Sequence, residues 1–110
     1  MGIFTRLTGF LTKSGRDNDL LLQALEHAKA KRPEQAIAIY SKLVDAKSTS
    51  DTARARALFN RALAYSAMKE DEKALLDLER VLGLPNVPDN VMSAARDRLT
   101  RVKRRSSPAT

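Results

Sequence analysis

An all-α domain is the fold class that this chain predicts, and two observations predict it. Apolar residues recur at i, i+4 and i+7 along most of its 110 residues, the spacing of one face of a helix. In addition, the stretch 20–44 can be laid on 58–82 so that large residues meet large ones and small meet small. Between those starting points, 20 and 58, lies an offset of 38 residues. Leu20 meets Leu58, Ala24 meets Ala62 and Leu25 meets Leu63. His27 meets Tyr65, Lys31 meets Lys69, Ala36 meets Ala74, Tyr40 meets Leu78 and Leu43 meets Val81. Self-similarity at such a period is the mark of a repeat architecture.

Each copy divides into two helices. In the first, Leu20, Ala24 and His27 form a stripe that stops near Lys31-Arg32. Pro33 suits the first position of the next helix, where its missing N–H costs nothing. Ala36, Ile37, Tyr40, Leu43 and Val44 make that helix's apolar face. The linker 46–52 is polar, with Ser50 or Asp51 as N-cap. In the second copy Leu58, Ala62 and Tyr65 give one helix, and Ala74, Leu75, Leu78, Val81 and Leu82 the other. Glu70-Asp71-Glu72 stand at the start of the latter, where acids favour the helix dipole, and Gly83 and Pro85 end it. After the turn at 85–90 a last helix carries Val91, Ala95, Leu99 and Val102 on one stripe; it is expected to fray near Arg104-Arg105. Alanines at 24, 36, 62 and 74 let paired helices approach closely.

These residues resemble the tetratricopeptide repeat. Leu58-x₂-Arg61-Ala62-x₂-Tyr65 followed by Ala74-x₃-Leu78 is similar to the family pattern, as is Leu20-x₂-Gln23-Ala24-x₂-His27 followed by Ala36-x₃-Tyr40. Leu stands for the family's Trp, Ala for its Gly, and Lys31 and Lys69 occupy a place where a turn glycine is usual. The resemblance implies helical hairpins stacked as a short right-handed α-solenoid. It divides the chain into repeat 1 at about 17–50, repeat 2 at about 55–88 and a capping helix at about 89–104, a domain of 17–105 in all. A basic amphipathic segment, 1–16, precedes it, and a disordered tail, 106–110, follows.

A concave groove that receives a peptide is also implied by the family. By position, Leu21, Leu25, Ala28 and Lys29 would line it from the first copy, Arg56, Phe59, Asn60, Leu63 and Ser66 from the second, and Met92 and Arg96 from the last helix. Leu21, Leu25, Phe59 and Leu63 lie off the packing stripes, so they form an apolar patch unless something covers them. Asn60 resembles an asparagine that helps hold a partner's C-terminal carboxylate in chaperone-binding members. Leu25 and Leu21 stand where those members place an Asn and a Lys, so no such clamp is expected.

The N-terminal segment has Ile3, Phe4, Leu7, Phe10 and Leu11 on one helical face. Three readings stay open: an extra helix in the stack, its groove or a dimer mate; a helix on a membrane surface; or a segment without fixed structure, since Gly9 and the threonines disfavour helix.

Charge divides the chain. The net charge is +7, yet 17–95 holds 11 basic and 12 acidic residues. The excess sits at the ends, with Arg6, Lys13 and Arg16 at one and Arg96, Arg98, Arg101, Lys103, Arg104 and Arg105 against Asp97 at the other. Cations at a helix C-terminus favour the dipole, and a basic binder of nucleic acid or anionic membrane is the alternative function. The cluster has no interleaved aromatics for base stacking.

Catalysis has no candidate. With no cysteine there is no thiolate or Cys-based zinc site. His27 is the one histidine and sits on a packing stripe, and the glycines Gly2, Gly9, Gly15 and Gly83 form no phosphate loop. No enzyme, metal or cofactor is expected. Neither a membrane span nor an export signal is read, which leads to the expectation of a cytoplasmic protein. The leading expectation is an adaptor or scaffold that binds another protein or a peptide, its own N-terminal segment or a second copy; a purely structural self-assembly unit is a further alternative.

Overall fold

The computed structural model describes residues 13–106. They form five helices and, among the described residues, no strand: α1 (Lys13–Lys29), α2 (Pro33–Asp45), α3 (Asp51–Ala67), α4 (Asp71–Gly83) and α5 (Asp89–Ser106). The all-helical architecture expected from the sequence is the one observed. Helices α1, α3 and α5 start at residues 13, 51 and 89, a step of 38 each time; α2 and α4 start at 33 and 71, the same step. Helices α1 and α3 are 17 residues long, and α2 and α4 are 13. Helix α1 thus begins inside the segment that the sequence set apart as 1–16. Residues 1–12, including the whole apolar face Ile3, Phe4, Leu7, Phe10 and Leu11, and the tail residues 107–110 lie outside the described residues.

The connections repeat as well. Past α1, Lys31 N–H donates to the Ala28 carbonyl at 3.1 Å and Arg32 N–H to the His27 carbonyl at 2.8 Å. Past α3, Lys69 N–H donates to the Ser66 carbonyl at 3.0 Å and Glu70 N–H to the Tyr65 carbonyl at 2.9 Å. This pair of bonds is the Schellman closure, which needs a left-handed residue at its centre. Lys31 and Lys69 supply it, with φ of 61° and 62°. Pro33 opens α2, as its fixed φ favours.

The loop before α3 is fastened at several points. Ser50 caps the helix, its Oγ accepting from Ala53 N–H at 3.1 Å. Its own N–H donates to the buried carboxylate of Asp17 at 3.0 Å, so the start of α1 is tied to the start of α3. Arg54 turns back to the end of α2, donating to the carbonyls of Val44 and Ala46. Asn86, left-handed at φ 57°, donates to Asp51 at 2.9 Å.

Packing is sequential. Each helix lies against its neighbours in the chain; in addition α1 touches α3 and α3 touches α5, whereas α2 and α4 do not meet. The odd-numbered helices therefore form one continuous row. The core runs along it. Ala24, Ala36, Ala62 and Ala74 are all fully buried, and the large residues Tyr40, Leu43, Leu58, Leu78, Val81 and Val102 fill the space between them. Each such side chain contributes about 1.5–3 kcal/mol on burial. Among the described residues no buried side-chain nitrogen or oxygen lacks a partner.

Helix α5 does not fray at Arg104-Arg105 but continues through both to Ser106. Arg105 accounts for the difference. Its guanidinium pairs with Asp71 in the first turn of α4 and donates to Ser66 Oγ at 2.7 Å, which anchors the last turn. Asp71 accordingly both opens α4 and receives that arginine, while Glu70 and Glu72 stand beside it at the helix start.

Candidate functional site

A hollow of about 420 Å³ opens between α1 and α3. Leu25 and Ala28 of α1 form one wall, Leu63, Ala64 and Ala67 of α3 the other, and Lys31 and Pro33 close one end. Short side chains at 28, 64 and 67 create the space. Tyr40 and Asn60 also line it. The Tyr40 ring comes from the core of α2, almost wholly buried. Burial pushes the Tyr40 phenol above its ordinary value, and the neighbouring Asn60 amide acts the other way. Lys31 is the one charged group among the described residues that line the hollow.

Of the groove residues expected from the sequence, four converge here: Leu25, Ala28, Asn60 and Leu63. Leu25 is 38% exposed. Leu21 and Phe59 are half-buried and packed against the core, so much of their apolar surface is spent on the fold itself. Lys29, Arg56 and Arg96 are exposed, and Met92 on α5 is half-buried, away from the hollow. Ser66 is buried and occupied by Arg105. Lys29 lies one turn beyond Leu25 on α1, and Arg56 one turn before Asn60 on α3, so each helix that walls the hollow carries an exposed cation one turn from a lining residue.

His27 is held structurally. Its Nδ1 accepts from Arg32 Nε at 3.0 Å, and its carbonyl accepts from the Arg32 N–H. Among the described residues no three metal-type side chains come together, and no helix is long and apolar enough to cross a membrane.

One polar cluster escaped the sequence reading. Arg61 of α3 and Asp77 of α4 are bound to each other through two hydrogen bonds, and Arg61 Nη1 also donates to Ser41 Oγ of α2 at 2.9 Å. The carboxylate raises the Arg61 pKa further, chiefly by that hydrogen bonding, against the opposing effect of burial. Arg61 and Lys73 both approach the Tyr65 ring, 5.7 and 5.6 Å from its centroid. The cluster joins three helices and lines no part of the hollow.

No family model matches this chain, and the comparisons with curated proteins and with solved structures gave no match either.

Proposed function

We propose that this chain is a short tetratricopeptide-type stack, right-handed, whose function is to bind another polypeptide as an adaptor or scaffold. The hollow between α1 and α3 carries the reading. It is an apolar recess of about 420 Å³, in the size range of ligand sites, between helices of a continuous row. The equal step of the helix starts, the paired Schellman closures and the four buried alanines support the repeat assignment. Leu25 and Leu63 supply apolar contact, Asn60 a polar group for a peptide backbone, and Lys29, Arg56 and Arg96 favour an acidic neighbour. A binding surface without catalytic groups fits an interaction protein rather than an enzyme, and the fold alone would not distinguish the two.

The test compares wild type with Leu63→Glu as baits in a pull-down from native lysate, bound proteins being identified by mass spectrometry. Circular dichroism verifies that the variant remains helical. Partners that bind wild type and are missing from the variant are the expected result. Identical sets for a folded variant would transfer binding to the basic surface of α5, where a salt series would then show a steep loss.

A further inference from the structure

The step of 38 between helix starts at 13 and 51 gives each position of the hollow a counterpart one hairpin further on. Ala28 corresponds to Ser66, Pro33 to Asp71, and Ala67 to Arg105. At that second place the chain supplies its own occupant. Arg105 donates to Ser66 Oγ at 2.7 Å and pairs with Asp71. At the first place the same register holds Ala67, with Ala28 and Pro33 where the two acceptors would stand. The side chain that bridges and both its acceptors are thus exchanged together for apolar groups. What suits the floor of such a recess is an apolar group, because an arginine there would find neither of those acceptors on the walls.

Charge on the rim narrows the choice. Lys31 lines the hollow, and Lys29 and Arg56, both exposed, stand one helical turn from its lining residues Leu25 and Asn60. We propose that the hollow is the anchor pocket for one large apolar side chain of an acidic peptide, with carboxylates of that peptide pairing with Lys29, Lys31 and Arg56. This rests on the peptide-binding reading above. The chain's own residues 3–11 offer apolar side chains, but their one charged group is Arg6. A cationic rim selects against them and in favour of a partner that carries acid.

The experiment uses the full chain as bait for a displayed library of short random peptides, in parallel with two variants. Ala28→Ser/Ala67→Arg places the bridging arginine of the second hairpin and its serine acceptor in the hollow. Lys29→Glu/Arg56→Glu inverts the rim at exposed positions that no core contact depends on. Peptides enriched on wild type are expected to carry Phe, Leu or Met within one helical turn of Asp or Glu. They should bind either variant at least about tenfold more weakly, a loss of about 1.4 kcal/mol. Equal affinity for wild type and the bridged variant, with its circular dichroism and melting retained, would overturn the pocket while leaving peptide binding in place. If the bridged variant does not fold, the rim variant decides: unchanged affinity, or peptides with no acidic bias, overturns the proposal. A third bait, the full chain with Phe4→Ser/Phe10→Ser, covers the chain's own segment: enrichment that arises on it alone would assign the pocket to that segment. No enrichment on any bait would remove both the pocket and the peptide-binding reading.

Discussion

Arg61 and Asp77 grip each other side by side, Nε to Oδ2 and Nη2 to Oδ1 both at 2.7 Å, with 12% and 5% of their side chains exposed. Two parallel charge-assisted bonds fix α4 on α3 in orientation as well as in distance. At the same register in the first hairpin stand Gln23 and Ile39, so the pair belongs to one copy alone.

Removing one partner should therefore cost more than removing both. Asp77→Ala leaves the Arg61 guanidinium without its carboxylate and is expected to destabilise by about 3 kcal/mol. Arg61→Gln/Asp77→Ile, which copies the first hairpin, should cost less than Asp77→Ala. Urea melts of the three chains check this; a double variant as unstable as the single would refute the argument.

The lysines at 31 and 69 sit at φ of 61° and 62°, a region that costs a side-chain-bearing residue roughly 1–2 kcal/mol. Glycine removes that cost and gives back part of it through a freer unfolded chain. Lys69→Gly should raise stability by about 0.5–1 kcal/mol, and so should Lys31→Gly. The two sites are a hairpin apart, so their effects should add, which denaturant midpoints at constant slope would show.

Alkaline pH should weaken the fold through Tyr40. Its phenol titrates above the ordinary 10.0 in the folded chain because burial disfavours the anion. From about pH 10 upward the unfolded chain releases that proton first, so stability falls as pH rises towards the folded value. Tyr40→Phe should show a shallower fall over about pH 9–11, with a cost near neutrality of no more than about 1 kcal/mol for the lost hydroxyl. Parallel urea melts at several pH values read both effects.

Ser50 and Asp17 act in series at the start of α3. Ser50→Ala removes the cap on Ala53 N–H and should cost about 1 kcal/mol. Asp17→Ala leaves the Ser50 N–H without its acceptor and opens a buried site, for about 1–3 kcal/mol. Thermal melts should rank Asp17→Ala as the less stable of the two.

Much of the fold was legible because the two hairpins differ in sequence while keeping size. Ala24 against Ala62 and Ala36 against Ala74 mark where helices touch, and those four residues are fully buried. Lys31 and Lys69 stood where a turn residue was due, and both are left-handed. What the comparison of copies could not reveal is what the copies do not share. Arg61–Asp77 has no counterpart in Gln23 and Ile39, and its partners lie on different helices. The remaining signal was Asp77 itself, an acid three residues beyond Ala74 and next to Leu78, inside the buried arc of α4. Arg105 was hidden in the same way: in a run of cations it reads as solvated, and only the nearness of Asp71 and Ser66 makes it an anchor. Leu21 and Phe59 read as surface because helical stripes are wider than the strict i, i+4, i+7 pattern, and both reach the core from its edge.

The row formed by α1, α3 and α5 gives α3 a distinct standing in time. It alone among the five described helices packs against all the other four, so its amides exchange only when the whole stack opens, whereas α1 and α5 can peel away at lower cost. No helix touches one more than two places along the chain; such local contacts close quickly, and folding should begin around α3 and spread outward in both directions.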